Sequence, residues 1–166
     1  MRNVFILFFL VFYSCNNSSD KQEAKAQKSD MNIIQKHDAV LGLEKTSKIK
    51  IENWKEYHSV TNSLSQFSSI SPNEALNNAI KLSETVQFLK DSIRPKELIN
   101  LSFKTRVNVL ENEALRLKDM THISAITAKE VNTQVDKILA AFSATNSKIN
   151  TIYSQIEVEQ EIEDIN

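Results

Sequence analysis

From Val131 to Ile156 the residues Val131, Val135, Ile138, Phe142, Thr145, Ile149, Ile152 and Ile156 recur in steps of four and three without a break. That stepping puts all of them on one stripe of an α-helix and sustains it for more than three heptads. Leu139 and Tyr153 widen the stripe, and Ala140, Ala141 and Ala144 permit close approach of a neighbour. A seam this narrow must be covered by other helices. The chain holds one glycine and two prolines in 166 residues, so turns are few and elements long. Sandwiches and barrels, which need many turn residues, are disfavoured. The sequence therefore predicts an all-α fold, an antiparallel up-down bundle of about four helices joined by short connections. The alternative is a coiled-coil oligomer through the last helix, because a single sustained seam also suits self-association.

Local signals divide a helical domain over 30–166 into long helices near 48–69, 72–93, 102–118 and 127–158. Ser71-Pro72-Asn73-Glu74 and Thr127-Ala128-Lys129-Glu130 read as capping boxes, the first with proline at the favoured first helical position. Trp54, Tyr57, Val60, Leu64 and Phe67 form the stripe of the first long helix. Arg94-Pro95 ends the second, since the residue before proline resists the α conformation. The Lys48-Ile49-Lys50-Ile51 alternation is too short to mark a strand. Residues 96–101 read as a turn or loop, and 119–125 as a loop. Upstream, Ile33, Ile34, His37, Val40 and Leu41 stand at helical spacing before Gly42, which predicts a short helix closed near that glycine or a loosely docked segment. Residues 157–166 carry five acidic side chains and no basic one, a charge that opposes the helix dipole and predicts fraying.

The N-terminus has a different character. Arg2 precedes an unbroken apolar run, VFILFFLVFY, over residues 4–13, and Ser14-Cys15 ends it before a polar stretch. A basic start, an apolar run of this length and a small residue at the junction predict a secretory signal peptide. The run is too short to span about 30 Å of hydrocarbon. Residues 16–29 hold only two alanines as apolar content and read as a solvated tether. The one cysteine in the chain, Cys15, sits at the junction, so no internal disulfide can form.

Phe12-Tyr13-Ser14-Cys15 resembles the lipobox of bacterial lipoproteins, with Ser14 and Cys15 at the matching positions. The resemblance covers residues 1–19. It implies removal of residues 1–14, a diacylglycerol thioether on Cys15 and a lipid-modified, palmitate-type N-terminus anchored in membrane. Asn16 rather than Asp after the cysteine implies the outer membrane, on its periplasmic or surface face. Two or three acyl chains hold a protein stably, because each buried methylene adds about 0.8 kcal/mol.

Reaction chemistry finds little material. His37, His58 and His122 lie in separate segments, and the Glu-x-x-His motif of di-iron bundles is missing. Asp119 and His122 have that spacing only where a helix ends. There is no His-Glu-x-x-His, no second cysteine and no Gly-x-Ser-x-Gly. Glu111 and Glu113 diverge on a helix, and Glu113 is placed to meet Arg116. No catalytic, cofactor-binding or metal residue is predicted. A net charge of −1 gives no basic face for nucleic acid. The expectation is a non-enzymatic, lipid-anchored interaction or scaffold module of the cell envelope, with a protein partner or self-association through helical faces. The alternatives are a periplasmic holdase-type chaperone and a small-ligand or sensor bundle with a pocket near Trp54, Tyr57 and Tyr153.

Overall fold

The computed structural model describes residues 30–165. The expected signal peptide, Cys15 and the tether lie outside the described residues. In chain order the elements are β1 (Gln35–Lys36), α1 (Lys45–Lys50), α2 (Lys55–Phe67), β2 (Ser69–Ile70), α3 (Pro72–Asp91), a 3-10 turn (Lys96–Leu98), α4 (Leu101–Met120) and α5 (Ala128–Glu163). Helices α2 to α5 form the antiparallel up-down bundle. No helix among the described residues is long and apolar enough to cross a membrane.

Capping sets the helix starts. At α3, Ser71 Oγ accepts from the Glu74 amide while Glu74 Oε2 accepts from the Ser71 amide at 3.1 Å. Thr127 and Glu130 make the same reciprocal pair at α5. Each box satisfies amides that the first helical turn leaves without a partner. Both glutamates are held below the usual carboxylate range by these side-chain and backbone hydrogen bonds. Asn100 caps α4 by accepting from the Phe103 amide at 2.9 Å.

The core is one cluster. From α5 the seam residues Val131, Val135, Ile138, Phe142, Thr145, Ile149 and Ile152 are all buried, and Ile156 is half-buried at the end. Tyr57, Val60, Leu64 and Phe67 of α2 meet them, with Ala79, Leu82, Val86 and Leu89 of α3 and Phe103, Val107, Leu110 and Leu117 of α4. The seam is thus closed within one chain, which removes the premise of a coiled-coil between copies. Between α4 and α5, Gln134 Nε2 donates to both the carbonyl and Oε2 of Glu113 at 2.8 Å. Glu113 also pairs with Arg116 at 3.5 Å.

Several boundaries differ from expectation. The helix over 48–69 is two helices, α1 and α2, separated by a turn at 51–54. Thr46 donates to Glu157 at 2.8 Å and Ser47 is buried, so α1 is tied to α5. The chain redirects where Ile51 and Trp54 both enter the core. Helix α4 runs two residues further than 118, and α3 stops at Asp91 rather than 93. Helix α5 continues through the acidic end to Glu163, exposed there, because glutamate and glutamine are good helix formers.

The largest correction concerns residues 30–44. They form no helix closed at Gly42 but a turn at 30–33, where the Ile33 amide donates to the Asp30 carbonyl, followed by an extended strap. β1 pairs antiparallel with β2, Gln35 opposite Ile70 and Lys36 opposite Ser69, and the His37 amide donates to Ser68. The strap then runs along α5 in the same direction. Asn132 Nδ2 donates to Gln35 Oε1, His37 Nδ1 is hydrogen-bonded to Asp136 at 2.7 Å, and the Leu41 amide donates to Ser143 Oγ. Asn146 Nδ2 donates to the Leu41 carbonyl, and Asn150 donates to Gly42 and accepts from the Glu44 amide. Nine strap steps from Gln35 to Glu44, at about 3.3 Å each, match eighteen helical steps from Asn132 to Asn150 at about 1.5 Å. Only an extended backbone, β or polyproline II in kind, keeps pace with the helix in this register.

A groove between the strap and helix α2

Each α5 residue that touches the strap with a polar side chain stands one position after a seam residue: Asn132, Asp136, Ser143, Asn146 and Asn150; Glu157, which meets Thr46 of α1, continues the row. One residue turns about 100° around a helix. The seam therefore faces the bundle, and this second heptad stripe faces the strap. Asparagine suits the task because its amide both donates and accepts, matching one carbonyl and one amide of an extended backbone.

Where the strap bridges from α5 toward α2 it leaves a groove of about 680 Å³. Residues 39–43 form one wall, and Tyr57, Thr61, Leu64 and Ser65 of α2 form the other. Ile51 and Phe142, both buried, contribute apolar surface, and Lys48, Glu52 and His58 also line it. The size falls within the range of small-ligand sites, about 300–1,000 Å³.

The hydroxyls, the phenol and the imidazole along the groove are already engaged. Thr61 donates to the Tyr57 carbonyl, Ser65 to Asn62 and Ser68 to Ser65, all within α2 or at its end. Tyr57 donates to Asn146 Oδ1 at 2.8 Å, and His58 Nε2 is hydrogen-bonded to the Glu52 carbonyl at 2.9 Å. Burial pushes the Tyr57 hydroxyl up to about 12, against the opposing effect of its hydrogen bonds to Thr61 and Asn146. A phenol in that state is a neutral donor at ordinary pH, not a base.

Of the aromatic residues expected to mark a ligand face, Tyr57 lines the groove. Trp54 is buried behind it, its ring stacked on Tyr57 at 5.7 Å. Tyr153 lies in the core away from the groove lining, its hydroxyl raised to about 12 by burial and by the nearby Glu97 carboxylate. The three histidines remain apart in role: His37 is buried against Asp136, His58 is exposed on α2, and His122 is exposed past the end of α4. Among the described residues no group of three or more His, Cys, Asp or Glu side chains could hold a metal ion. Comparison with known protein families, curated proteins and solved structures found no match.

Proposed function

We propose that this protein is a non-enzymatic interaction module of the cell envelope, lipid-anchored to the outer membrane through Cys15, whose working surface is the groove between strap and α2. The observation that carries the binding reading is that groove. It is apolar, ligand-sized and lined by hydroxyls already hydrogen-bonded to their own helix, which suits recognition by apolar contact. The lipobox-like Ser14-Cys15 and the polar stretch at 16–29 support the anchor and its tether.

Two measurements test the two halves. A photo-crosslinking residue in place of Thr61, introduced in intact cells, is expected to capture a defined envelope component. Adducts that arise equally from an exposed position on α4 such as Asn112 would count against the groove. Cys15→Ala is expected to accumulate as unlipidated precursor and to leave the processed lipoprotein fraction; unchanged processing and partitioning would refute the anchor.

A further inference from the structure

The groove's polar rim leaves one kind of recognition open. Its side-chain hydroxyls at Thr61, Ser65 and Ser68 already donate to carbonyls of α2, so a ligand rich in hydroxyl or amide groups finds few partners there. Charge is distributed unevenly. Helix α1, KTSKIK, carries three lysines and no acid, and Lys48 lines the groove. Lys48 is exposed and makes no ion pair among the described residues. The one acidic side chain on the lining, Glu52, has its Oε1 engaged by Asn53 Nδ2 at 3.4 Å.

An apolar trough whose lining includes an exposed lysine with no ion pair among the described residues matches a molecule of the complementary build. Building on the proposed role of the groove as the binding surface, we infer that it takes a single-chain amphiphile with an anionic head group. The hydrocarbon lies against Val40, Leu43, Ile51, Leu64 and Phe142, and the head meets Lys48. A free carboxylate or the phosphodiester of a lysolipid presents the same chemistry to that lysine.

The protein contains its own reporter. Trp54 is the single tryptophan, and its ring stacks on Tyr57, which lines the groove. The test titrates dodecanoate, lysophosphatidylglycerol, dodecanol and dodecyltrimethylammonium into the full-length Cys15→Ala chain, which carries no lipid of its own to compete. Trp54 fluorescence and calorimetry are the readouts. Saturable one-site binding is expected for both anionic probes, and the tighter of them identifies the head group's source. Lys48→Glu is expected to weaken dodecanoate about threefold to fivefold, the scale of an exposed ion pair, while dodecanol changes less than about twofold. Thr61→Phe, which fills the groove, is expected to weaken all the probes by about tenfold or more. Ser65→Phe replaces it if the Thr61 variant melts earlier.

Absence of saturable binding by the anionic probes overturns the inference, as does binding that the filling variant leaves unchanged. Dodecyltrimethylammonium binding as tightly as dodecanoate, insensitive to Lys48→Glu, overturns the anionic head. If the amphiphiles fail while residue 61 still crosslinks to an envelope protein, the amphiphile is wrong and the interaction module stands.

Discussion

The hydroxyl of Tyr57 ends 2.8 Å from Asn146 Oδ1, whereas the buried hydroxyl of Tyr153 has no hydrogen-bond partner among the described residues. Removing the two oxygens should therefore act in opposite directions. Tyr57→Phe leaves Asn146 with an unfilled acceptor and is expected to cost about 1 kcal/mol. Tyr153→Phe removes a desolvated group that gains nothing in return and is expected to be neutral or to stabilise by up to about 1 kcal/mol. Urea unfolding of the two variants checks this, and equal destabilisation by both would sink it. The same phenols set the alkaline limit. Unfolded, each ionises near 10; folded, near 12, so above pH 10 the native state retains protons that the unfolded chain has released. Stability is complete below pH 10 and falls from there toward 12, by about 3 kcal/mol at most for Tyr57 and by less for Tyr153, whose surroundings screen the charge more. The double phenylalanine variant should lose that fall.

At the scale of elements, the strap is fixed by side chains that grip its backbone. Asn150→Ala deletes the contacts to both Gly42 and Glu44. It is expected to raise hydrogen exchange at the Leu41 and Glu44 amides by roughly tenfold, with the core of α3 and α4 unaffected. Protection lost uniformly across α3 would show instead that the strap is part of the global fold. The same element marks the boundary of what sequence could reveal. Both capping boxes were legible because Ser71 with Glu74 and Thr127 with Glu130 are local chemistry, complete within four residues. The seam was legible because it repeats. The strap was not, because Ile33, Ile34 and Leu41 fall at helical spacing but are exposed, while its actual partners stand about 100 residues away. One trace of it was on view: short polar residues Asn132, Ser143, Asn146 and Asn150, each just after a seam position. The groove itself lies between segments that only the strap's docking brings together, so Tyr57 alone was foreseeable as a lining residue. Lys48 and Thr61 carried no signal beyond being polar residues at the edge of a helix.

For the molecule as a whole, closing the seam inside one chain changes what a polar substitution does. Ile149 is fully buried among helices of its own chain. Ile149→Asp places an unpaired carboxylate there and is expected to unfold the bundle, by more than about 4 kcal/mol. Circular dichroism would show the loss of helix. A well-folded, soluble Ile149→Asp monomer would point instead to a seam shared between copies.

Gln35 pairs with Asn132, Leu41 with Ser143 and Glu44 with Asn150, separations of 97, 102 and 106 residues along the chain. During synthesis, at about 5–20 residues per second, the strap emerges roughly 5–20 seconds before the helix that holds it. Residues 35–37 find β2 and Ser68 earlier, but the backbone of residues 41–44 has only water to bond until Ser143, Asn146 and Asn150 are made. The part of the strap that walls the groove, residues 39–43, is thus made early and fixed late, and that wall exists only once almost the whole chain has been delivered.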